Sequence, residues 1–208
     1  MADWVAISSL ATAGGTLALA GTTYASVRSA NRAARAAEVS MLAALRPLLL
    51  PSGADDPVQR IPFVDGVGVT APGGGAGVEV VDRRVYLGLS LRNVGTGIAV
   101  LHGARFYPVR VRGEEPAPLE EFRRLTRDLY IPPGKLGYWQ GAYRDHDDPD
   151  REVALAAIER GEFGLDVLYG DYEGGQRVVT RFGCLREETG TWSLAAGRHW
   201  QIDRENPR

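Results

Sequence analysis

The sequence predicts a mainly β protein with a long N-terminal α-helix: an antiparallel β-sandwich of Ig-like type following a transmembrane helix. Three observations carry this reading. No charged residue occurs from Trp4 to Val27, and the stretch beyond it stays free of proline until Pro47. Past Pro51, seven to nine short segments read as strands, with no helices alternating between them. Glycine is abundant at 26 residues and proline numbers 12, as suits strands joined by many turns.

The opening segment is long enough to span a bilayer, since about 20 helical residues cross a hydrocarbon core of about 30 Å. Its strong apolar residues are few: Val5, Ile7, Leu10, Leu17, Leu19 and Val27. They supply about −2 to −3 kcal/mol of insertion energy. Ser8, Ser9, Thr12, Thr16, Thr22, Thr23 and three glycines oppose them, so the sum lies near balance. Trp4 and Tyr24 stand where interfacial aromatics belong, and Arg28, Arg32 and Arg35 come next. An excess of arginine marks the cytoplasmic flank. The expectation is a single-pass cell-membrane protein with its N-terminus outside and its β-domain cytoplasmic. A cleaved signal fits less well: Ala18-Leu19-Ala20 resembles a cleavage site, but the positive charge lies on the wrong side of the apolar run. A soluble alanine-rich helix is the plain alternative. Small-residue pairs such as Ala11 with Gly15 and Gly14 with Ala18 allow close helix approach and self-association.

The helix is expected to continue. Ala30, Ala34, Ala37, Met41, Ala44 and Leu48 recur at helical spacing, and the arginines on another face suit anionic headgroups or plain solvent. Pro47 and Pro51 end it, and LRPLLLP is expected to dock on the β-domain. The chain thus divides into a transmembrane helix (1–27), a juxtamembrane helix (28–50) and a β-sandwich domain (51–208). Within the last, Pro72-Gly73-Gly74-Gly75 reads as a flexible hairpin connector; no lysine directly follows the glycines and no helix opens after them, so it is not a phosphate loop. RVYLGLSLRN alternates with a period of two, as a half-buried strand does. Asn93 to Gly97 supplies a turn, and strands are expected at Ile98–Leu101 and Arg105–Val111. LEEFRRLTRD suits either a short helix or an edge strand. DLYIPPGKLGYWQGAYR reads as strand, turn, strand. DREVALAAIERG reads as a helix capped by Asp150. EFGLDVLYG and QRVVTRFGCL form a hairpin about Glu173-Gly174-Gly175, and GTWSLAAGRHWQID adds a last strand or two.

The anchor, the arginine-rich helix ending in LRPLLLP, LRNVGTGIAVLHGARFYP, IPPGKLGYWQ and LDVLYGDYEGGQRVVTRF together resemble a group of small uncharacterised actinobacterial single-pass membrane proteins, and more broadly bacterial β-sandwich modules with an N-x-G-x-G-x-A turn. The likeness covers most of the chain and rests on turn chemistry. It implies a bacterial membrane protein with a β-sandwich and carries no activity with it.

Chemistry is sparse. The net charge of −2 gives no general pull toward nucleic acid, so no nucleic-acid partner is expected. His102, His146 and His199 are far apart and form no helical zinc pair. Cys184 shares a strand face with Phe182, as a structural thiol would. Asp145, Asp147, Asp148 and Asp150 are the candidate metal ligands, since carboxylates in one loop suit a hard cation; a solvated loop leading into a helix is the default. No cofactor and no catalytic residue is expected. Tyr138, Trp139, Tyr143, Trp192 and Trp200 read mainly as core, with some available for a partner. The sequence therefore favours a membrane-anchored, non-enzymatic interaction or scaffold module with a protein partner or self-association through its helix. The alternative is a small-ligand sensor or enzyme with a site in the loop Asp145 to Asp150.

Overall fold

The computed structural model describes residues 2–203, with the side chains at 2, 4–6, 11 and 43 outside that description, so the membrane-flanking role expected of Trp4 concerns a side chain not described. The chain divides into two compact units, Met1–Ala43 and Ala44–Arg208.

The first unit is one helix, α1 (Ala2–Ala44), 43 residues long. Alanine, leucine and arginine favour it throughout, and no proline interrupts it. The transmembrane segment and most of the juxtamembrane helix of the sequence reading form one continuous helix, but it stops at Ala44 rather than at residue 50, and Leu49–Pro51 is a strand. Among the described residues, no helix is long and apolar enough to cross a membrane. Length is ample; hydroxyls and glycines dilute the apolar content. The described side chains from Ile7 to Met41 are exposed, Leu10, Leu17 and Leu19 at 73%, 74% and 69%.

The second unit is mainly β. It contains β1 (Leu49–Pro51), β2 (Gln59–Pro62), β3 (Gly68–Ala71), β4 (Gly75–Val81), β5 (Arg84–Asn93), β6 (Ala99–Tyr107), β7 (Arg123–Ile131), β8 (Leu136–Tyr143), α2 (Pro149–Arg160), β9 (Glu162–Gly170), β10 (Val178–Arg186) and β11 (Trp192–Gln201). Nine strands form one antiparallel sheet and β2–β3 form a separate pair. From one edge to the other the large sheet runs β8, β5, β4, β11, β10, β9, β6, β7, with β1 sharing one edge of β5 with β4. The ladder between β4 and β11 is only two residues long, Ala76 with Trp192 and Gly75 with Ser193.

The sheet curls around its own core. Leu87, Leu89 and Leu91 from β5 share one cluster with Leu101 and Phe106 from β6 and with Phe163, Leu165 and Phe182 from β9 and β10. The expected inward face of Phe163, Leu165, Val167 and Tyr169 is fully buried. Ala154, Ala157 and Ile158 of α2 enter the same cluster. The expected alternation of β5 is not seen: Tyr86, Gly88 and Ser90 are buried as well. The small sheet covers that second face, packing Ile61, Phe63, Val69 and Ala71 around Tyr86.

LRPLLLP docks as expected. Leu49–Pro51 pairs with β5, and Asn93 secures the approach: its Oδ1 accepts from Leu48 N and Gly95 N, and its Nδ2 donates to the carbonyls of Gly97 and Ile131. Gly97 is required here, since a Cβ on it would lie 1.7 Å from the Leu45 carbonyl oxygen. Pro72–Gly75, expected as a flexible connector, is a packed turn closed by Gly75 N on Pro72 O at 3.1 Å. A Cβ on Gly73 would meet three carbonyl oxygens of the loop at residues 53–56 within 2.8 Å. The ambiguous LEEFRRLTRD resolves into a 3-10 turn at Leu119–Glu121 followed by β7.

Candidate functional site at the seam of the sheet

β7 and β8 are consecutive, joined by a turn through Pro132 to Lys135, yet they do not pair as a hairpin. They stand at opposite ends of the strand order and meet where the curled sheet comes round on itself. Their facing edges leave a cleft of about 240 Å³.

Two irregularities open this region. Between the pairs Leu101–Leu129 and Gly103–Arg124, β6 advances two residues while β7 advances five, so β7 bulges. At the same level β6 slips by one residue against β9, at His102. Bulges of this kind occur beside binding sites because they redirect side chains and end pairing.

Apolar groups from Ala104, Leu125, Leu129 and Trp139 line the cleft, and arginines flank them. Trp139 is 3% exposed and lies over Gly141, where a Cβ would come 2.3 Å from Trp139 Cη2. Its indole Nε1 is buried with no acceptor among the described residues. A buried donor without a partner costs about 1–3 kcal/mol.

The arginines differ in how they are held. Arg123 donates to Asp148 Oδ2 at 2.5 Å and lies 5.3 Å above the Tyr143 ring. Arg144 faces Asp65 at 3.6 Å. Arg127 reaches across the seam to the Tyr138 hydroxyl at 3.1 Å and to Gln140 Oε1 at 2.7 Å, both uncharged. Arg124, on the same strand, forms no ion pair among the described residues. Asp145 also lines the cleft.

Behind β7 lies a second cavity of about 480 Å³, lined in part by His102, Leu119, Phe122 and Leu168, and sharing Arg124 and Leu125 with the first. Burial, reinforced by the positive charge of Arg177, holds the His102 imidazole below its usual range; Asp128 and Asp171 oppose that shift.

The structure disperses the aspartates proposed as metal ligands. Asp148 is committed to α2: its Oδ1 accepts from Asp150 N, and its Oδ2 from Arg123. This corrects the expected cap. Asp148 holds the cap position because Pro149 begins the helix, and Asp150 supplies the backbone donor. Asp147 and His146 are fully solvated, and Asp145 turns toward the seam. Among the described residues, no group of three or more histidine, cysteine or acidic side chains is placed to hold a metal ion. Cys184 is buried, and desolvation pushes its thiol pKa far up, which disfavours the thiolate. Of the membrane-flanking set, Tyr24, Arg28, Arg32 and Arg35 all lie on α1 with exposed side chains.

The sequence pattern marks Trp139 and Tyr138 only as aromatics and leaves Arg124 and Arg127 unmarked. Their signal is the run of three arginines in FRRLTRD, an edge strand charged on both faces. Comparison with protein-family models, curated proteins and solved structures finds no match to this chain.

Proposed function

We propose that the protein is a non-enzymatic, membrane-attached interaction module: α1 attaches it by pairing with a second α1, and the β-domain does the binding. One observation carries the attachment. In the charge-free half of α1, a Cβ on Gly14, Gly15 or Gly21 would meet nothing within 4 Å. Glycine in an exposed helix interior costs about 1 kcal/mol relative to alanine. Its use three times makes sense where another backbone comes close. The hydroxyls favour the same surroundings: Thr12, Thr16 and Thr22 donate to the carbonyls of Ser8, Thr12 and Leu19 at 2.8–2.9 Å. A hydroxyl satisfied by its own helix loses less on leaving water. A lone α1 is too weakly apolar to cross, whereas a pair buries its glycines and hydroxyls against each other. Arg28, Arg32 and Arg35 then lie at the cytoplasmic headgroups, with the N-terminus outside. The finer fold reading goes with this: the two halves of the curled sheet face each other across one core, as in an Ig-like sandwich.

The test uses the full-length chain with a C-terminal tag in a bacterial host. Resistance to alkaline extraction, protection of the tag in spheroplasts and a crosslinked dimer that Gly15→Ile abolishes are the expected results. Release of the chain by alkali removes the membrane from its function.

A second reading, that the β-domain senses a small ligand, is favoured by the seam cleft, with Trp139 in its wall and arginines at its rim. It moves the candidate site from the loop Asp145 to Asp150 onto β7 and β8.

A further inference from the structure

The seam cleft has an imbalance of both charge and hydrogen-bonding capacity. Of its arginines, Arg123 and Arg144 face Asp148 and Asp65, whereas Arg124 and Arg127 have no carboxylate opposite them among the described residues. Asp145 is the one acidic side chain in the lining, and it forms no ion pair among the described residues. Two uncompensated guanidiniums and one uncompensated carboxylate leave a single net positive charge, in a chain whose net charge is −2.

The polar groups are mostly donors. Gln140 spends its Oε1 on Arg127, which leaves its amide N–H groups free to donate outward. The Tyr138 hydroxyl, outside the cleft lining, accepts from Arg127 and helps to hold that guanidinium in place. The Trp139 indole N–H is buried and contributes no accessible donor, so Trp139 serves the cleft as an apolar wall. A ligand that satisfies this set must bring acceptors. It must also bring apolar surface, because Ala104, Leu125, Leu129 and the indole face of Trp139 line the interior. At about 240 Å³ the cleft is smaller than the range of about 300–1,000 Å³ typical of drug-sized ligands.

We propose that the seam between β7 and β8 binds a small amphipathic carboxylate, a single ring or short chain whose apolar body lies on Trp139 and Leu125 and whose carboxylate is held by Arg127 and Arg124. One positive charge selects a monoanion over a phosphate dianion, and the guanidinium fork suits two oxygens in a plane. This rests on the ligand-sensing reading of the β-domain and is independent of how α1 attaches.

The experiment titrates the detergent-solubilised full-length protein with benzoate and hexanoate, and in parallel with phenyl phosphate and benzyl alcohol. Calorimetry gives the affinity, and amide chemical shifts locate binding. Benzoate or hexanoate is expected to shift resonances of β7 and β8. Arg127→Gln and Arg124→Gln are each expected to weaken binding about tenfold or more, with unchanged melting temperature, because both side chains are exposed. Trp139→Phe is expected to weaken it less. Seam shifts that are equally strong with benzyl alcohol, or stronger with phenyl phosphate, overturn the carboxylate assignment while leaving a ligand cleft. Carboxylate binding that neither arginine substitution weakens overturns it too. No seam shifts with any of the four probes overturns the ligand-sensing reading itself.

Discussion

Arg181 on β10 and Asp166 on β9 stand directly opposite each other and close a two-pronged ion pair, Nε to Oδ1 and Nη2 to Oδ2, both at 2.7 Å. Their side chains are 6% and 0% exposed. Further hydrogen bonds surround the pair: Arg181 donates to the carbonyls of Gly113 and Glu115, and Tyr107 donates its hydroxyl to Asp166. The guanidinium lies 4.8 Å from the Trp200 ring and 5.3 Å from that of Tyr107. The pair thus pins the loop between β6 and β7 to the outer face of the sheet.

Removing one partner leaves the other charged and buried. Asp166→Ala is expected to destabilise the fold by about 3–5 kcal/mol in urea unfolding. Replacing both residues together by leucine and methionine should recover much of that loss, because the attraction in a buried pair is largely offset by desolvation. A double variant no more stable than the single would contradict this account.

Asn93 makes four hydrogen bonds from a fully buried side chain, to groups on both sides of β5 and to the end of β7. Asn93→Ala is expected to cost about 3 kcal/mol, as buried backbone donors and acceptors lose their partners. Thermal denaturation checks it. Asn93→Asp retains the acceptor but sets a carboxylate against two carbonyl oxygens, so it should not rescue.

The helix cap separates two neighbouring aspartates. Asp148→Ala is expected to cost about 1 kcal/mol through the lost cap. Its bond to the half-exposed Arg123 should add only a few tenths. Asp150→Ala should change stability little. Equal losses at both positions would contradict the assignment of the cap.

The His102 imidazole is kept below its ordinary value of 6.5, first by burial and then by Arg177. The unfolded chain therefore binds a proton at a higher pH than the folded one. Stability from this group is complete above pH 6.5 and is lost as the pH falls from 6.5 toward the lowered folded value. Unfolding monitored between about pH 7 and pH 5 should show that decline, and His102→Gln should flatten it. A decline that persists unchanged in the variant would assign it to other groups.

Much of the fold is legible in the chain because local rules and tertiary packing agree there. The hairpin of β9 and β10 follows from alternation around Glu173-Gly174-Gly175, and docking of LRPLLLP follows from two prolines that end a helix beside an apolar run. β5 reads as half-buried in sequence although β2 and β3 cover its second face, because short strands rich in turn residues give almost no periodic signal. The candidate site is barely legible. Asp145 to Asp150 stand out because acidic residues cluster in sequence, but the backbone points them apart. Arg124, Arg127 and Trp139 come together only because β7 and β8, adjacent in sequence, are the two edges of the large curled sheet.

By itself the sequence determined the long helix, the mainly β character of the rest, most strand positions and the buried thiol at Cys184. These depend on composition, spacing and turn residues, which act over a few neighbours. Only the tertiary structure decided that nine strands share one curled sheet, that β7 and β8 meet without pairing, and that arginines without carboxylates gather around a buried indole. Those outcomes depend on strand order and bulges between segments far apart in the chain, and no local pattern encodes them.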